Sequence, residues 1–316
     1  MTNDRWREQI TDDVIRISLR YVNGFVNSYL VLGADGPRLI DAGPLPSQGV
    51  FELESHLAEL GVRIVDLREI LLTHAHPDHV GAVALLAALS GARIMIHHRE
   101  VSQGAARLGF TNARPDIEWL LDQGCPETLA TIPSTASDIP PQIEVLPDDG
   151  LLEFGPLRLR LIHTPGHSPG LLCFMEDRHG LLFSTDHLLR TATPIAIRTR
   201  SSDDPVGDYL ASLEKIAGLR PKLTLPGHGR SIANFEEAIV NARQAQLTRL
   251  SDVHRAVADG ATTALDVAIA LGWQAAAEPT RIWLAIARTS AYLQHLEGLD
   301  LVRHEGLRPK LWFSAD

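Results

Sequence analysis

The feature that most constrains this chain is a cluster of metal-binding residue types between Thr73 and Gly81, in the sequence THAHPDHVG. Three histidines and one aspartate occur within six residues, directly after the apolar run Ile70 to Leu72 and directly before a stretch with helical character. Two histidines separated by one residue point the same way while the chain is extended, whereas residues in the following turn point elsewhere. One short loop at a strand-to-helix junction could therefore serve two metal ions.

The residue types in this loop indicate which metals it suits. Neutral imidazole and carboxylate are borderline to hard ligands, which favour zinc, iron, manganese or cobalt over copper(I) or an iron–sulfur cluster. A solvated, histidine-rich loop is the alternative interpretation, and it would suffice for an isolated H-x-H pair. The complete H-x-H-x-D-H pattern after an apolar strand favours a metal site.

The composition of the chain is that of a globular protein and argues against several classes. Its 316 residues are 45% hydrophobic and carry a formal net charge of −10, which suits one large domain with a small one and disfavours a general nucleic-acid binder. We see no secretory signal and no apolar run of membrane-spanning length. Cys125 and Cys173 lie far apart without a C-x-x-C pattern, so we expect a cytoplasmic, reducing setting.

The order of strands and helices predicts an α/β chain in which strands end at polar turns. Alternating residues from Val14 to Ala42 predict an antiparallel meander that ends in the acidic turn Asp41-Ala42-Gly43. Helical spacing follows from Phe51 to Leu60, and a strand through Ile70 leads into the metal loop. The helix after that loop is predicted to end at Gly91.

The next apolar strand is followed by His97 and His98. They have no adjoining aspartate and no partner at ligand spacing along the chain, so we predict loop residues or hydrogen-bond donors near the site. The segment from Gly104 to Gln142 has weak periodicity and many prolines. A long irregular segment in a compact domain is often functional, and we predict that this one forms a wall of the substrate pocket.

Three later turns also present polar side chains beyond the ends of apolar strands, as sheet scaffolds do when they build sites. The candidates are His167 in HTPGHSPG, Asp186 and His187 in STDH, and His228 in PGHG. His163 and His179 are predicted to be structural.

The motifs THAHPDH, HTPGHS, STD and PGHG, in this order, resemble those of the metallo-β-lactamase-fold superfamily over roughly Val14 to Gly229. The resemblance implies a four-layer αββα sandwich of two mixed sheets, with the site at the sheet edges. It also implies two divalent metal ions, zinc in the first place, with iron or manganese as alternatives. The ligands of one ion would be His74, His76 and His167. The ligands of the other would be Asp78, His79 and His228.

The same resemblance assigns roles to three further residues. Asp186 would bridge the two ions. Asp41 matches the acidic residue of the family's D-T-G turn and would support the ligands by hydrogen bonds, and His187, which adjoins Asp186, is a second candidate for that role. One departure from the family's pattern is Ser184-Thr185 before Asp186, where a glycine is common.

A site of this kind points to hydrolysis. Two cations that share a water lower its pKa to near neutrality and supply a bridging hydroxide without a separate strong base. The target would be an electrophilic carbonyl or phosphoryl group, whose developing oxyanion the ions stabilise. Asp78 is the candidate catalytic carboxylate, since it could accept a hydrogen bond from the hydroxide as well as bind metal.

The pattern changes after Gly229, so we predict a catalytic domain over residues 1–230 and a small helical domain over 231–316. One apolar stripe from Phe235 to Val257, broken only by Gln246, predicts a long helix. Two shorter helices and a hairpin would follow. This order resembles the winged-helix appendage of bacterial relatives of the lactamase-β-like endoribonuclease.

The charge of this C-terminal part bears on its partners. Basic and acidic residues are nearly equal in number from Arg230 onward, whereas a winged helix that binds nucleic acid needs an excess of lysine and arginine. Val302 and Trp312 in the hairpin are candidate buried residues, and large apolar side chains are frequent on the helices. We therefore predict packing against the catalytic domain or homodimer formation, with no membrane or nucleic-acid partner.

Three functions fit these observations. The leading hypothesis is a dinuclear metal-dependent hydrolase that acts on a small ester, thioester or lactone. A metal-dependent ribonuclease is the first alternative, suggested by the resemblance of the C-terminal part. A mononuclear iron persulfide dioxygenase is the second, because that redox enzyme shares much of the motif set.

Overall fold

A computed structural model describes residues 6–21, 24–44, 47–104, 122, 143–190, 204–273, 279–306 and 309–315. Within these ranges, a seven-stranded and a five-stranded sheet form the body of the protein. The first sheet contains, in order, β1 (Arg7–Gln9), β2 (Val14–Tyr21), β3 (Gly24–Gly33), β4 (Gly36–Ile40), β5 (Glu69–Leu71), β6 (Arg93–His97) and β7 (Ile143–Leu146). The second contains β8 (Asp149–Phe154), β9 (Leu157–His163), β10 (Leu172–Glu176), β11 (Leu181–Thr185) and β12 (Leu223–Pro226), in the order β12-β11-β10-β9-β8.

Strand direction decides where the polar turns meet. The predicted meander is confirmed, since β1 to β4 pair antiparallel, while β4, β5, β6 and β7 pair parallel. The carboxyl ends of β4, β5 and β6 therefore share one edge of the first sheet. In the second sheet β9, β11 and β12 run in one direction, with β10 antiparallel between β9 and β11. Their carboxyl ends also share one edge.

Helices cover the outer faces of both sheets. Their bounds are α1 (Ser47–Glu59), α2 (Pro77–Val80), α3 (Val83–Ser90), α4 (His98–Gly104), α5 (Pro205–Ala217), α6 (Phe235–Ala258), α7 (Ala264–Ala270) and α8 (Pro279–Gly298), with a 3-10 turn at Ile64–Asp66. One buried cluster joins β2 and β3 to α1 and α3, and another joins β9 to β11 with α5 and the start of α6.

A third cluster lies between the two sheets. Alternation along β2 shows the division, because Val14 faces the other sheet while Ile15 and Ile17 face the helices. Phe174 and Phe183 come from the second sheet to meet this inner face. The predicted four-layer αββα sandwich is thus confirmed.

The helix predicted after the metal loop is divided. Pro77 occupies the first turn of α2, where its fixed φ and missing N–H cost nothing. The chain then turns at Gly81 and Ala82 before α3 begins. Gly91 ends α3 in the left-handed conformation, with φ 71° and its N–H bonded to Ala87 O at 2.8 Å, as predicted.

The C-terminal unit has its own core. It comprises most of α6, then α7, α8 and a hairpin of β13 (Val302–Glu305) and β14 (Leu311–Ser314), with Val302 and Trp312 buried as predicted. Val206 of α5 joins this core, and His295 pairs with Asp204 at 2.8 Å. Helix α6 contributes to two cores. The domain boundary at residue 230 and the winged-helix resemblance both stay predictions.

One polar residue interrupts the apolar stripe of α6, and the structure gives the reason. Gln246 is fully buried, and its side-chain oxygen accepts a hydrogen bond from the Tyr292 hydroxyl of α8. The break in the stripe is a satisfied polar pair inside the helical core.

Two predictions from the sequence concern residues outside the described ranges. Apart from Gly104 and Asp122, the predicted pocket wall over 104–142 lies outside them, and so does Cys125. Cys173 is a buried free thiol, and burial raises its pKa to about 12. No helix in the described ranges is long and apolar enough to span a bilayer.

Candidate metal centre

The seven predicted ligands come from five separate places in the chain and meet where the two sheet edges face each other. His74 and His76 follow β5, and Asp78 and His79 open α2. The remaining three follow β9, β11 and β12 and are His167, Asp186 and His228. The parallel strands deliver these residues to one place because their carboxyl ends coincide.

Three histidines form the first group of converging donor atoms. Nδ1 of His76 lies 3.0 Å from Nε2 of His74 and 2.8 Å from Nε2 of His167. His74 is fully buried and His167 is 8% exposed. Burial lowers the pKa of His74 well below its usual value, and like charge from His79 adds to the shift. Burial also lowers the pKa of His167, so both shifts favour the neutral form that metal ligands require.

The second group combines two histidines and a carboxylate. Oδ2 of Asp78 lies 3.3 Å from Nε2 of His228 and 3.8 Å from Nε2 of His79. Asp186 touches both groups, with Oδ1 3.5 Å from His79 Nε2 and Oδ2 3.5 Å from His167 Nε2. Its Oδ2 is also 3.2 Å from Nε2 of His228. Asp186 therefore stands between the two groups, at the place the bridging prediction requires.

Asp41 fixes the orientation of two ligand rings from behind. Its Oδ2 lies 2.7 Å from Nδ1 of His79 and accepts the Thr73 hydroxyl at 2.9 Å, while its Oδ1 accepts the Thr73 amide at 2.9 Å. Since the Thr73 hydroxyl proton goes to Asp41, its oxygen accepts from Nδ1 of His74 at 3.0 Å. Both rings then keep the proton on Nδ1 and turn Nε2 towards the cluster.

A backbone carbonyl performs the same task for His228. Its Nδ1 donates to Phe25 O at 2.7 Å, so its Nε2 faces Asp78 and Asp186. The loop that carries His228 is held by Asn27, whose side-chain amide donates to Pro226 O and Gly229 O, each at 2.9 Å.

Opposite charges balance in the second group. Burial lowers the pKa of His79, but the carboxylates of Asp186, Asp41 and Asp78 outweigh it and raise the pKa well above its usual value. Burial likewise lowers the pKa of His228, but Asp186 and hydrogen bonds raise it to about 10. Burial raises the pKa of Asp78, while the His79 charge and a bond from His228 bring it down to about 2. A cation that binds here must displace these protons.

Backbone strain is concentrated at this edge. Asp41 and Thr185 have φ of 61° and 48°, a conformation that non-glycine residues rarely adopt. Thr185 stands where the family commonly has glycine, and it adopts the left-handed conformation that a glycine would supply. The residue directly before Asp186 is therefore held in a strained conformation.

Glycines allow two close approaches in the ligand loops. A Cβ on Gly227 would lie 2.1 Å from Oδ1 of Asp186 and 2.9 Å from Cε1 of His79. Gly166, with φ 131°, lies against the backbone of Tyr209, whose Cα would be 2.5 Å from an added Cβ. The Pro-Gly turns thus bring the loops into contact as well as reversing the chain.

A donor set of this type fits divalent cations. Imidazole nitrogens and carboxylate oxygens suit zinc, manganese or iron(II). Nε2 of His79 and Oδ1 of Asp186 are buried without a hydrogen-bond partner in the described part of the chain, and burying such groups unsatisfied is costly. A cation between the two groups would remove that cost.

Glu100, in α4, is a functional residue that the sequence reasoning missed. Its side chain is buried, and its two oxygens accept backbone N–H groups from both ligand loops: Ala75 N at 2.8 Å and Gly170 N at 2.6 Å. Ala75 lies between the first two histidines, and Gly170 follows the turn of His167. One carboxylate thereby couples the loops that form the first group. An isolated glutamate in a histidine-containing segment gave no signal of this role.

Replacing Glu100 by Gln is expected to lower the affinity of the first group for metal by about 10-fold to 100-fold, the range for residues that orient ligands. One of the two amides would face an NH₂ group in place of an oxygen. Metal competition with a chromophoric chelator measures the change. Glu54→Gln, at an exposed position of α1, is the matched control, and equal affinities in the two variants would contradict the role of Glu100.

The structure shows the surroundings of two further histidines for which the sequence made predictions, His187 and His97. The ring of His187 packs against Tyr209 at a centroid distance of 5.0 Å and forms no hydrogen bond with the seven ligands in the described residues. Burial lowers its pKa to about 3. His97, predicted to be a loop residue or a hydrogen-bond donor near the site, is the last residue of β6, and the fold places Asp148 and His163 beside it from distant parts of the chain.

The architecture and the site together define a class. A two-sheet sandwich with clustered histidines and aspartates at its strand ends is the scaffold of a metal-dependent hydrolase.

Comparison with known proteins identifies the family. The model of the metallo-beta-lactamase superfamily matches residues 21–228. The protein belongs to this superfamily, whose members depend on metal, and it is an enzyme of the hydrolase type.

Relatives of known sequence extend beyond the matched region. The probable metallo-hydrolase YqjP of Bacillus subtilis is 29% identical over 92% of this chain and 94% of its own length. Thioesterase pkgB of Emericella nidulans is 26% identical over 73% of this chain and 54% of its own length.

Solved structures show the same fold. A metallo-beta-lactamase family protein from Thermus thermophilus superposes with a TM-score of 0.78 and 28% identity over 95% of this chain and 97% of that one. A beta-lactamase domain protein from Burkholderia ambifaria has a TM-score of 0.84 at 19% identity over 99% and 95% of the two chains. Both likenesses include the C-terminal unit, since they cover nearly the whole chain.

Proposed function

We propose that the protein is a dinuclear metal-dependent hydrolase of a small ester, thioester or lactone. The observation that carries the proposal is the position of Asp186 between the two groups of ligands: its Oδ2 lies 3.5 Å from His167 of one group, and its Oδ1 lies 3.5 Å from His79 of the other. His74, His76 and His167 would hold one ion, zinc in the first place. Asp78, His79 and His228 would hold the other.

The protein's own residues prepare this centre before any substrate arrives. When bound, the two ions supply Lewis acidity and acidify a water molecule to near-neutral pKa. Asp41 and the Phe25 carbonyl keep the rings of His79 and His228 in the tautomer that presents Nε2. Asp78 is 14% exposed on its side chain and Asp186 is 8% exposed, so Asp78 is the ligand carboxylate better placed to accept a hydrogen bond from an attacking hydroxide.

The choice of a carbonyl substrate rests on the relatives and on charge. Thioesterase pkgB is named for cleaving a thioester, and an atrochrysone carboxyl ACP thioesterase is 24% identical over 78% of this chain. The net charge of −10 gives no general attraction for a polyanion. A small-molecule substrate is therefore proposed, with no nucleic-acid or membrane partner and with a homodimer as the candidate assembly.

A substrate panel tests this proposal. The purified protein is assayed on an S-acyl thioester, a 4-nitrophenyl ester, a γ-lactone and bis(4-nitrophenyl) phosphate, each with and without a chelator. We expect turnover of at least one carbonyl substrate that the chelator abolishes and zinc restores. Faster turnover of the phosphodiester than of every carbonyl substrate would overturn the proposal in favour of nuclease activity.

His79→Ala and His228→Ala are expected to lower the metal content alike, each by one ion per chain. They should differ in stability, because His79→Ala also removes one of the hydrogen bonds that the buried Asp41 carboxylate accepts, at a cost of about 1–3 kcal/mol. Elemental analysis and thermal unfolding measure the two effects, with His179→Ala as the control outside the cluster. Loss of different ions in the two variants would show that these ligands are wrongly paired.

A further inference from the structure

A second cluster of ligand-type side chains lies behind the catalytic centre. His97 at the end of β6, Asp148 before β8 and His163 at the end of β9 bring one ligand atom each within 4.8 Å of the others. His97 and His163 are buried and their rings stack at 4.6 Å, whereas the Asp148 side chain is 47% exposed. His98, half-exposed, has Nδ1 3.8 Å from Oδ1 of Asp148. The cluster is reachable from solvent through Asp148 and His98.

The hydrogen bonds of His163 leave a lone pair facing a carboxylate. Nε2 of His163 donates to Pro169 O at 2.9 Å, so when the ring is neutral its lone pair lies on Nδ1. That atom lies 3.6 Å from Oδ2 of Asp148, too far for a hydrogen bond and with two acceptors opposed. Among the described residues, Asp148 forms no ion pair with lysine or arginine, and the nearby Lys215 binds Asp149 and the carbonyl of His163. A cation between the two acceptors would relieve the opposition.

The distances from Asp148 to the rings are close to the spacing of ligand atoms around a tetrahedral ion. Bonds of about 2.0–2.1 Å to nitrogen and oxygen place neighbouring ligand atoms about 3.3 Å apart. The Asp148 oxygens lie 2.9, 3.6 and 3.8 Å from ring nitrogens of His97, His163 and His98. The carboxylate-to-imidazole distances in the catalytic groups are similar, from 3.2 Å at His228 to 3.8 Å at His79.

We propose that His97, Asp148 and His163 form a separate binding site for a divalent transition ion, zinc by ligand type. The bond from Nε2 of His163 to Pro169 O is the arrangement that metal-bound histidines use, with the second ring nitrogen donating to a carbonyl. His97 must bind through Nε2, which now faces Asp148 at 2.9 Å, so its proton moves to Nδ1. The contact of Nδ1 with Arg99 N, at 3.3 Å, is then given up.

An ion at this place would hold the loops of the catalytic centre. Pro169 belongs to the turn of His167, and Glu100, three residues beyond His97, binds the amides of Gly170 and Ala75. A Cβ on Gly170 would lie 2.6 Å from Nδ1 of His97, so that turn packs directly on the cluster. The role assigned to the ion is structural, and it requires no open coordination position.

Metal counting on variants tests the site independently of activity. The holoenzyme and its variants are equilibrated with zinc chloride, freed of unbound ion and measured by elemental analysis. His163→Gln and Asp148→Asn are expected to hold one ion fewer per chain than the wild type. His179→Gln and Asp177→Asn, a histidine and an aspartate from the turn after β10, are the matched controls and should retain all ions.

Two outcomes decide the matter. A loss of one ion in the cluster variants, with the thermal midpoint also lowered, supports the site. Equal metal content in the wild type and all variants overturns it and leaves a hydrogen-bonded network without metal. If His163→Gln does not fold, Asp148→Asn, at a side chain that is 47% exposed, gives the same decision.

Discussion

Asp186→Asn is expected to lower the turnover rate at least about a hundredfold, equivalent to about 2.7 kcal/mol of transition-state stabilisation. Asp186 is the carboxylate whose two oxygens reach both groups, at 3.5 Å from His79 and 3.5 Å from His167. Asparagine keeps the shape but offers one oxygen and no negative charge. The metal content should therefore fall by one ion per chain while the fold is kept.

The measurements are the turnover rate on the best carbonyl substrate, elemental analysis and circular dichroism. Asp177→Asn is the control, since the Asp177 side chain is 66% exposed and pairs with Arg160 at the surface. Full activity with no ion lost in Asp186→Asn would remove this residue from the centre.

Gly227→Ala is expected to have an effect of similar size by a steric route. The added methyl group would lie 2.1 Å from Oδ1 of Asp186, closer than any stable contact, so either the carboxylate or the loop must move. The loop is restrained, since Gly227 N donates to Thr185 O at 2.9 Å and Asn27 N donates to Gly227 O at 2.7 Å. A displacement of about 1 Å at a reacting centre costs about a hundredfold in rate.

Gly218→Ala is the matched control, because no heavy atom lies within 4 Å of a Cβ at that position. Turnover, metal content and thermal unfolding are compared for the two variants. We expect the control to match the wild type, whereas Gly227→Ala loses activity and metal and is destabilised by about 1–3 kcal/mol. Normal metal content and rate in Gly227→Ala would mean that Asp186 does not need its present position.

Much of the fold followed from local pattern. The meander from Val14 onward, the end of α3 at Gly91 and the burial of Val302 and Trp312 depend on alternation, helix capping and apolar size, which short segments encode. The four layers and the candidate ligands came from resemblance to a family. Resemblance carries the long-range topology, which local periodicity cannot supply.

What the sequence did not reveal depends on contacts between distant segments. Glu100 receives its role from Ala75 and Gly170, which lie on separate loops. His97 gains Asp148 and His163 only because β6 and β9 end close together. No spacing rule within one segment can express such a meeting.

The break in the apolar stripe of α6 is a further case. Gln246 lies within an apolar helical face, and its partner Tyr292 comes from α8. The left-handed φ of Thr185 is equally hidden, because threonine disfavours that conformation. Both features are locally unfavourable, and both exist because tertiary contacts outweigh local preference.

Anomalous X-ray diffraction from crystals of the purified protein tests the central claim most directly, because it gives the identity, number and position of bound ions together. The account predicts one zinc peak on each side of Asp186. One peak would lie among His74, His76 and His167, and the other among Asp78, His79 and His228. A single iron peak would contradict the dinuclear hydrolase and favour a dioxygenase, and the absence of any peak at these residues would contradict the metal centre itself.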